Sequence, residues 1–133
     1  MPGPGADAFS YAILRVVPSV QRGERINAGV VLFSRRKRFL GARVALDGER
    51  LAALDPTTDG GELRAHLEGI VRVADGDPEA GPIAAMPQSE RFGWLTAPSS
   101  TIVQPSQVHT GLTEDPEATL DDLFNELVAS PNA

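Results

Sequence analysis

The polar residues best placed for chemistry lie in residues 21–30, which read QRGERINAGV. Glu24 and Asn27 stand where this turn enters an otherwise apolar run, so we expect both side chains to be partly buried and to need partners. Arg15, on the preceding run, is a predicted partner, and Arg25 adds a second guanidinium. This set predicts either a binding site for a partner or ligand, or a structural arrangement in which Glu24 pairs with an arginine and Asn27 caps a turn.

A second group of candidate residues lies later in the chain. Arg91 precedes Trp94, the only tryptophan, by three residues, and an exposed tryptophan beside an arginine is a frequent anchor in protein interfaces. Ser99 and Ser100 begin a run of hydroxyls that could contact an anion. The structural alternatives are a tryptophan that closes one end of the core and hydroxyls that serve local turns.

A third candidate is a run of four consecutive cations, at Arg35, Arg36, Lys37 and Arg38, between two apolar runs. A basic hairpin tip of this kind can contact phosphate or an acidic protein surface. No aromatic residue is interleaved to stack on bases, and a solvated tip that discourages edge pairing explains the same residues. Nucleic-acid binding is therefore an open alternative and not the leading interpretation.

The motifs of well-known catalytic and cofactor sites are absent. The sequence contains no phosphate-binding glycine loop, no GxGxxG, no GxSxG and no HExxH. It has no cysteine and only two histidines, His66 and His109, and His66 lies beside an apolar helical stripe where a packed side chain is expected. We therefore predict no cofactor, no metal site and no catalytic residue, which favours a protein that is not an enzyme.

Composition indicates one ordinary globular domain. The chain has 133 residues, of which 41% are hydrophobic and 23% charged, and no apolar run approaches the length of a membrane span. The absence of cysteine and of a signal peptide favours the cytoplasm. Residues 1–50 carry nine Arg or Lys against four acids, whereas residues 51–133 carry three Arg against fourteen acids. The two halves are expected to neutralise each other within the fold or across a homodimer.

The elements that would position these residues begin with three apolar runs, at residues 9–17, 27–33 and 39–46. Short polar turns separate them, so they predict an antiparallel three-stranded meander whose central strand is the second. Residues 97–105 predict a loop that enters a short strand, which prolines on both sides place at a sheet edge. Residues 1–8, rich in Pro and Gly, predict a disordered tail before a single domain at 9–130.

Helices are predicted from caps and periodicity. Asp59 begins a helix that ends near Gly76, residues 88–95 form one or two turns, and Asp115 with Pro116 begins a terminal helix. Together these elements predict an α+β fold, with an antiparallel sheet led by the meander and helices packed on one face.

The sequence resembles the bacterial DUF3037 family, a domain of unknown function. The resemblance is carried by residues 11–15, Pro18, the GE-x-x-N-x-G core within residues 23–32, the segment SSTIV at 99–103 and LDDLF at 120–124. It covers nearly the whole chain and implies no activity. It does imply a small bacterial protein, often encoded beside a HipA-like serine/threonine kinase.

The leading functional prediction is a non-catalytic module that binds a protein partner, with the HipA-like kinase as a possible partner. Its predicted binding residues are Arg15, Glu24, Arg25, Asn27, Arg91, Trp94, Ser99 and Ser100. One alternative is nucleic-acid binding through the basic tip, and another is a small enzyme of unknown reaction with its site near Glu24 and Asn27.

Overall fold

A computed structural model describes residues 3–99 and 101–129 of the chain, so Met1, Pro2, the predicted site residue Ser100 and the predicted domain end at residue 130 lie outside the described residues. The centre of the fold is an antiparallel sheet of five strands in the order β3-β2-β1-β4, with β5 also paired to β1. The strands are β1 (Asp7–Val16), β2 (Ile26–Ser34), β3 (Phe39–Val44), β4 (Val103–Pro105) and β5 (His109–Thr113). The predicted α+β class and the leading meander are confirmed.

Four helices complete the fold, together with two short 3₁₀ turns between the second and third helices. They are α1 (Gly48–Leu54), α2 (Gly60–Asp75), α3 (Gln88–Leu95) and α4 (Pro116–Leu127). The Asp59 carboxylate accepts the backbone N–H groups of Gly61 and Glu62, as the predicted cap requires. At the other end of α2, Gly76 adopts the left-handed conformation (φ 74°) that terminates helices. None of the helices in these described ranges is long and apolar enough to cross a bilayer.

The helices lie on both faces of the sheet, which differs from the predicted packing on one face. Val31, Leu40 and Ala42 pack against residues of α2 and α3. Val30 and Leu32 point to the opposite face, where they pack against Leu120 of α4. Because the central strand β2 is apolar on both sides, each face needs a cover, and the terminal helix supplies the second one.

Arg43 of β3 forms two exposed ion pairs with α4. Its Nε lies 3.1 Å from Asp121 Oδ1, and its Nη2 lies 3.4 Å from Glu117 Oε2. These ion pairs join the basic first part of the chain to the acidic terminal helix, which is one contribution to the charge compensation expected within the fold.

The N-terminal end of the sheet differs from the prediction in two ways. Strand β1 begins at Asp7, so Asp7 and Ala8, predicted as part of the tail, pair with Thr113 and Leu112 of β5. Strand β5 itself was not predicted. Its sequence, HTGLT, is short and lacks the alternation of a half-buried strand. These residues therefore form a strand because they pair with β1, and not because of their own sequence pattern.

A β-bulge in β2 decides which side chains share a face near the start of the sheet. Leu14 of β1 pairs with Gly29, but Arg15 pairs with Asn27, so Ala28 is the extra residue of β2. The bulge turns Asn27 toward the face covered by α4, the same face as Arg15. Without it, the strict alternation of a strand would place Asn27 on the α2 face with Gly29 and Val31.

Candidate functional site

The predicted binding residues divide between the two faces of the sheet. Arg15 and Asn27 lie on the α4 face, at the end of the sheet where β2 begins. Trp94 and Ser99 line a groove on the α2 face, and Leu14, the neighbour of Arg15 in β1, also lines that groove. Since successive residues of a strand point to opposite faces, the two groups form two separate surfaces.

The first surface is the sheet-entry cluster, which we define as Arg15, Arg25 and Asn27. Asn27 Nδ2 donates to the carbonyl oxygen of Leu127 at 3.0 Å, so the side chain joins β2 to the end of α4. Arg15 lies between Asn27 on β2 and Gln104 on β4. Its Nε is buried and has no hydrogen-bond partner among the described residues. Burial lowers the pKa of Arg15, and the charge of Arg25 lowers it further.

Glu24 does not join the sheet-entry cluster. Its Oε1 lies 2.8 Å from Nε of Arg22, and both side chains are largely exposed to solvent. The predicted partner of Glu24 was Arg15, and the structure gives it another arginine within its own turn. The turn therefore supplies an exposed ion pair of the kind that contributes little to stability.

We predict different effects for the two polar residues of this turn. Glu24→Ala should change the free energy of unfolding by no more than about 0.5 kcal/mol, because it removes only an exposed pair. Asn27→Ala should cost about 1–3 kcal/mol, because it leaves the partly buried Leu127 carbonyl without its donor. Urea denaturation of both variants measures the difference, and Arg22→Ala serves as the matched control for Glu24. An equal loss in the two variants would contradict this assignment.

Arg91 lies beneath the surface and supports the fold. Its Nη1 donates to the carbonyls of Val73 and Ala74 at 3.1 and 2.8 Å, and its Nε donates to the carbonyl of Met86 at 2.8 Å. Only 9% of the residue is exposed. The guanidinium thus satisfies the Ala74 carbonyl in the last turn of α2, and it shares the Val73 carbonyl with the backbone N–H of Gly76. Arg91 is therefore not available to contact an external partner, whereas Trp94 is.

The second surface is the Trp94 groove, an open hollow of about 530 Å³ between α2, α3 and β4. Its walls are mostly apolar, and Trp94 is 55% exposed beside it. The residues that line it are Leu14, His66, Gly69, Ile70, Val73, Trp94, Leu95, Ala97, Pro98, Ser99, Thr101, Val103 and Pro105. The expectation that tryptophan closes the core is thus wrong for this residue, because Phe92 and Leu95 of the same helix are the buried ones.

Polar groups are few around the Trp94 groove. Ser99 Oγ lies 2.7 Å from Thr101 Oγ1 and also accepts the backbone N–H of Thr101, so this hydroxyl serves its own turn. His66 is exposed on the groove wall, which differs from the packed position expected for it. A smaller hollow of about 250 Å³ continues beyond His66 and reaches Asp59 and Glu62 at the start of α2.

The basic tip does not present its four cations as one patch. Lys37 Nζ lies 3.4 Å from Asp7 Oδ2. The Arg35 guanidinium lies over the Phe33 ring at 5.8 Å, within the range of a cation–π contact. Arg38 has a positive φ of 53°, and its carbonyl accepts a hydrogen bond from Gln88 Nε2. Arg35, Arg36 and Arg38 remain exposed, so three of the four charges are available to a partner.

Comparison of the chain with known protein families gives one match. Residues 11–128 match the family described as "Protein of unknown function (DUF3037)". The chain belongs to the DUF3037 family. No curated protein and no solved structure matches the chain. The matched residues include both the sheet-entry cluster and the Trp94 groove, so both surfaces lie within the DUF3037 domain.

The His, Asp and Glu side chains were compared as possible metal ligands over the described part of this DUF3037 domain. In residues 3–99 and 101–129, no three His, Asp or Glu side chains lie close enough to hold a metal ion. The two histidines also have different surroundings: His66 lines the groove, whereas the His109 ring lies 5.2 Å from the Tyr11 ring.

Sequence reasoning missed the residues of the groove wall that come from α2. Gly69, Ile70 and Val73 looked like part of an ordinary helix, and only the docking of α3 and β4 beside α2 makes them a groove. One signal was present in the sequence: Gly69 interrupts the middle of a predicted helix, where glycine is unfavourable.

Proposed function

We propose that this DUF3037 domain is a non-catalytic module that binds a protein partner through the Trp94 groove. The observation that carries the proposal is the exposed Trp94 beside an open, mostly apolar hollow. Tryptophan is strongly enriched among the residues that dominate binding energy, because one side chain buries a large area at a small entropic cost. An exposed apolar surface with few polar groups is typical of an interaction site.

The groove is built from elements that need no rearrangement before a partner binds. Leu95 of α3 and Val73 of α2 belong to one buried cluster, and Val103 of β4 belongs to another that includes Leu67 of α2. Packing in the core therefore holds the residues of the groove walls in position. A preformed surface of this kind costs little conformational entropy on binding, which favours affinity.

The sheet-entry cluster supports the enzyme alternative less well. Glu24, the carboxylate on which a general acid or base would depend, is held in an exposed pair with Arg22. The side-chain nitrogen of Asn27 donates a hydrogen bond to the Leu127 carbonyl of α4. Asp47 lines a hollow with Asn27, but its carboxylate caps α1 and pairs with Arg50. Among the described residues, a site near Glu24 and Asn27 would thus lack a free acid–base group at hydrogen-bond distance from the amide, so we place binding and not catalysis first.

A HipA-like serine/threonine kinase is our candidate partner, and the cytoplasm is the proposed compartment. The family resemblance motivates this choice, since such a kinase is expected to be encoded nearby. A second copy of the chain is the competing occupant, and an oligomeric-state measurement in the absence of the kinase distinguishes the two.

Nucleic-acid binding through the basic tip is the second candidate function. The observation that favours it is the exposure of Arg35, Arg36 and Arg38 on one hairpin. If this interpretation is right, affinity for duplex DNA or RNA should fall steeply with salt, and each arginine removed should lower the slope of log K against log salt by about one. The pairing of Lys37 with Asp7 makes it the weaker candidate.

Trp94→Ala tests the proposed function directly. We expect affinity for the kinase to fall by about tenfold or more, which corresponds to the loss of at least about 1.4 kcal/mol typical of an interface anchor. The free energy of unfolding should change by no more than about 0.5 kcal/mol, since Trp94 is largely exposed. Isothermal titration calorimetry on the native chain and the variant measures the affinity.

The matched control is Leu112→Ala. Leu112 is 57% exposed, close to the exposure of Trp94, but lies on β5 outside the groove. Its replacement should leave kinase binding unchanged. Equal binding by the native chain and Trp94→Ala, or a loss in Leu112→Ala alone, would refute the groove as the binding surface.

A further inference from the structure

We propose that the occupant of the Trp94 groove is a polypeptide segment that inserts an apolar side chain over Gly69 and carries Lys or Arg residues on both sides of it. This inference rests on the proposed function and adds the chemistry of the partner. It depends on two independent observations, the glycine in the wall of the groove and three carboxylates near the groove.

Among the described residues, neither packing nor backbone conformation explains the glycine at position 69. It lies in the interior of α2, where glycine lowers helix stability relative to alanine. A Cβ atom built on Gly69 would meet nothing within 4 Å, so packing does not require its absence. Its φ is not in the left-handed region that favours glycine. Neither of these two structural reasons for a helical glycine applies at this position.

The position of Gly69 on α2 supplies a reason outside the chain. His66, Gly69, Ile70 and Val73 all line the groove, as residues spaced by three and four along a helix do. Because Gly69 has no side chain, the groove beside Trp94 is deeper than it would be with alanine at this position. A partner group can therefore approach the backbone of α2 there, so we infer that the glycine makes room for the partner.

The charge around the groove specifies the rest of the segment. Asp59 and Glu62 lie in the smaller hollow that continues from His66. Glu90 does not line the groove, but it precedes Trp94 by one helical turn on α3, so the two side chains share a face. Within the described part of the chain, none of these three carboxylates forms an ion pair. A segment with cations on both flanks complements this rim, and an acidic segment would be repelled.

Helix geometry sets the spacing of one cation. Glu62 precedes Gly69 by seven residues, which is about 10 Å along α2. An extended segment covers that distance in about three residues. We therefore expect a Lys or Arg about three positions from the apolar anchor, on the side that faces the start of α2.

The first experiment selects ligands without assuming their chemistry. A displayed library of random 12-residue peptides that lack tryptophan is selected on the full chain, and clones that also bind Trp94→Ala are discarded. We expect the remaining peptides to share an apolar residue with Lys or Arg on both sides. Neutral or acidic peptides that need Trp94 would overturn the charge inference and leave the proposed function intact. If no peptide depends on Trp94, the proposed function fails with it.

The second experiment tests Gly69 with one selected peptide. Gly69→Ala should weaken binding about tenfold, because an added methyl in a fitted contact must be accommodated. The same variant should have a higher melting temperature than the native chain, since alanine favours the helix. A variant that binds as tightly as the native chain would overturn the role of Gly69.

Gly93→Ala is the matched control for this substitution. Gly93 also lies in a helix, and a Cβ there would also meet nothing within 4 Å, but it does not line the groove. It should leave peptide affinity unchanged. The double variant Glu62→Gln, Glu90→Gln should reduce affinity at low salt and flatten its salt dependence. An unchanged salt dependence would overturn the part of the proposal that assigns these carboxylates to the partner.

Discussion

Arg91→Ala is expected to lower the free energy of unfolding by about 3 kcal/mol or more. The variant removes Nη1, which donates to the carbonyls of Val73 and Ala74, and Nε, which donates to the carbonyl of Met86. The Val73 carbonyl keeps the N–H of Gly76, so the cost falls mainly on the carbonyls of Ala74 and Met86. The variant also opens a void between α2 and α3, which adds a cavity cost. Chemical denaturation monitored by far-UV circular dichroism measures the loss.

Two controls define what Arg91 contributes. Arg91→Lys keeps the charge but not the planar fork of donors, so we expect an intermediate loss. Arg36→Ala removes an exposed arginine and should change stability by no more than about 0.5 kcal/mol. If Arg91→Ala were as stable as Arg36→Ala and lost partner binding instead, Arg91 would belong to the binding surface after all.

Leu120→Ala should have the second large effect, a loss of about 2–5 kcal/mol. Leu120 is fully buried and is the one described residue of α4 that is completely enclosed. It packs against Phe9, Val30 and Leu32 on the second face of the sheet. Among the described residues, no other helix packs on that face. A cavity at Leu120 therefore weakens the packing of the one helix that covers it.

Leu123→Ala is the control for α4. Leu123 packs against the same cluster but is only partly buried, so its truncation should cost less than that of Leu120. Urea melts of the two variants compare them. Equal losses, or no loss from Leu120→Ala, would contradict the docking of α4 on the sheet.

The sequence was informative where local rules determine structure. Three apolar runs separated by polar turns predicted the meander, and Asp59 and the Asp115–Pro116 pair predicted where α2 and α4 begin. These signals are local, because caps and alternation depend only on residues close in the chain.

The site was harder to predict because it depends on contacts between distant segments. The bulge at Ala28, which turns Asn27 toward α4, has no signature in the sequence. The exposure of Trp94 and the burial of Arg91 are set by where α3 docks on the end of α2, and both residues lie in the same short helix. Helix periodicity identifies a face but not what covers it. The sequence therefore predicted Trp94 and Arg91 as neighbouring binding residues, whereas the structure exposes Trp94 at the groove and buries Arg91 within the fold.

The fluorescence of Trp94 tests the central claim most directly. The chain has a single tryptophan, so its emission reports on this side chain alone. When a tryptophan-free peptide from the selection is added, we expect a shift of the emission maximum to shorter wavelength and protection from acrylamide quenching, because the exposed indole leaves water. Calorimetry on the same samples establishes that the peptide is bound. Saturated binding with unchanged emission and unchanged quenching would contradict binding in the Trp94 groove, since the partner would then occupy a different surface.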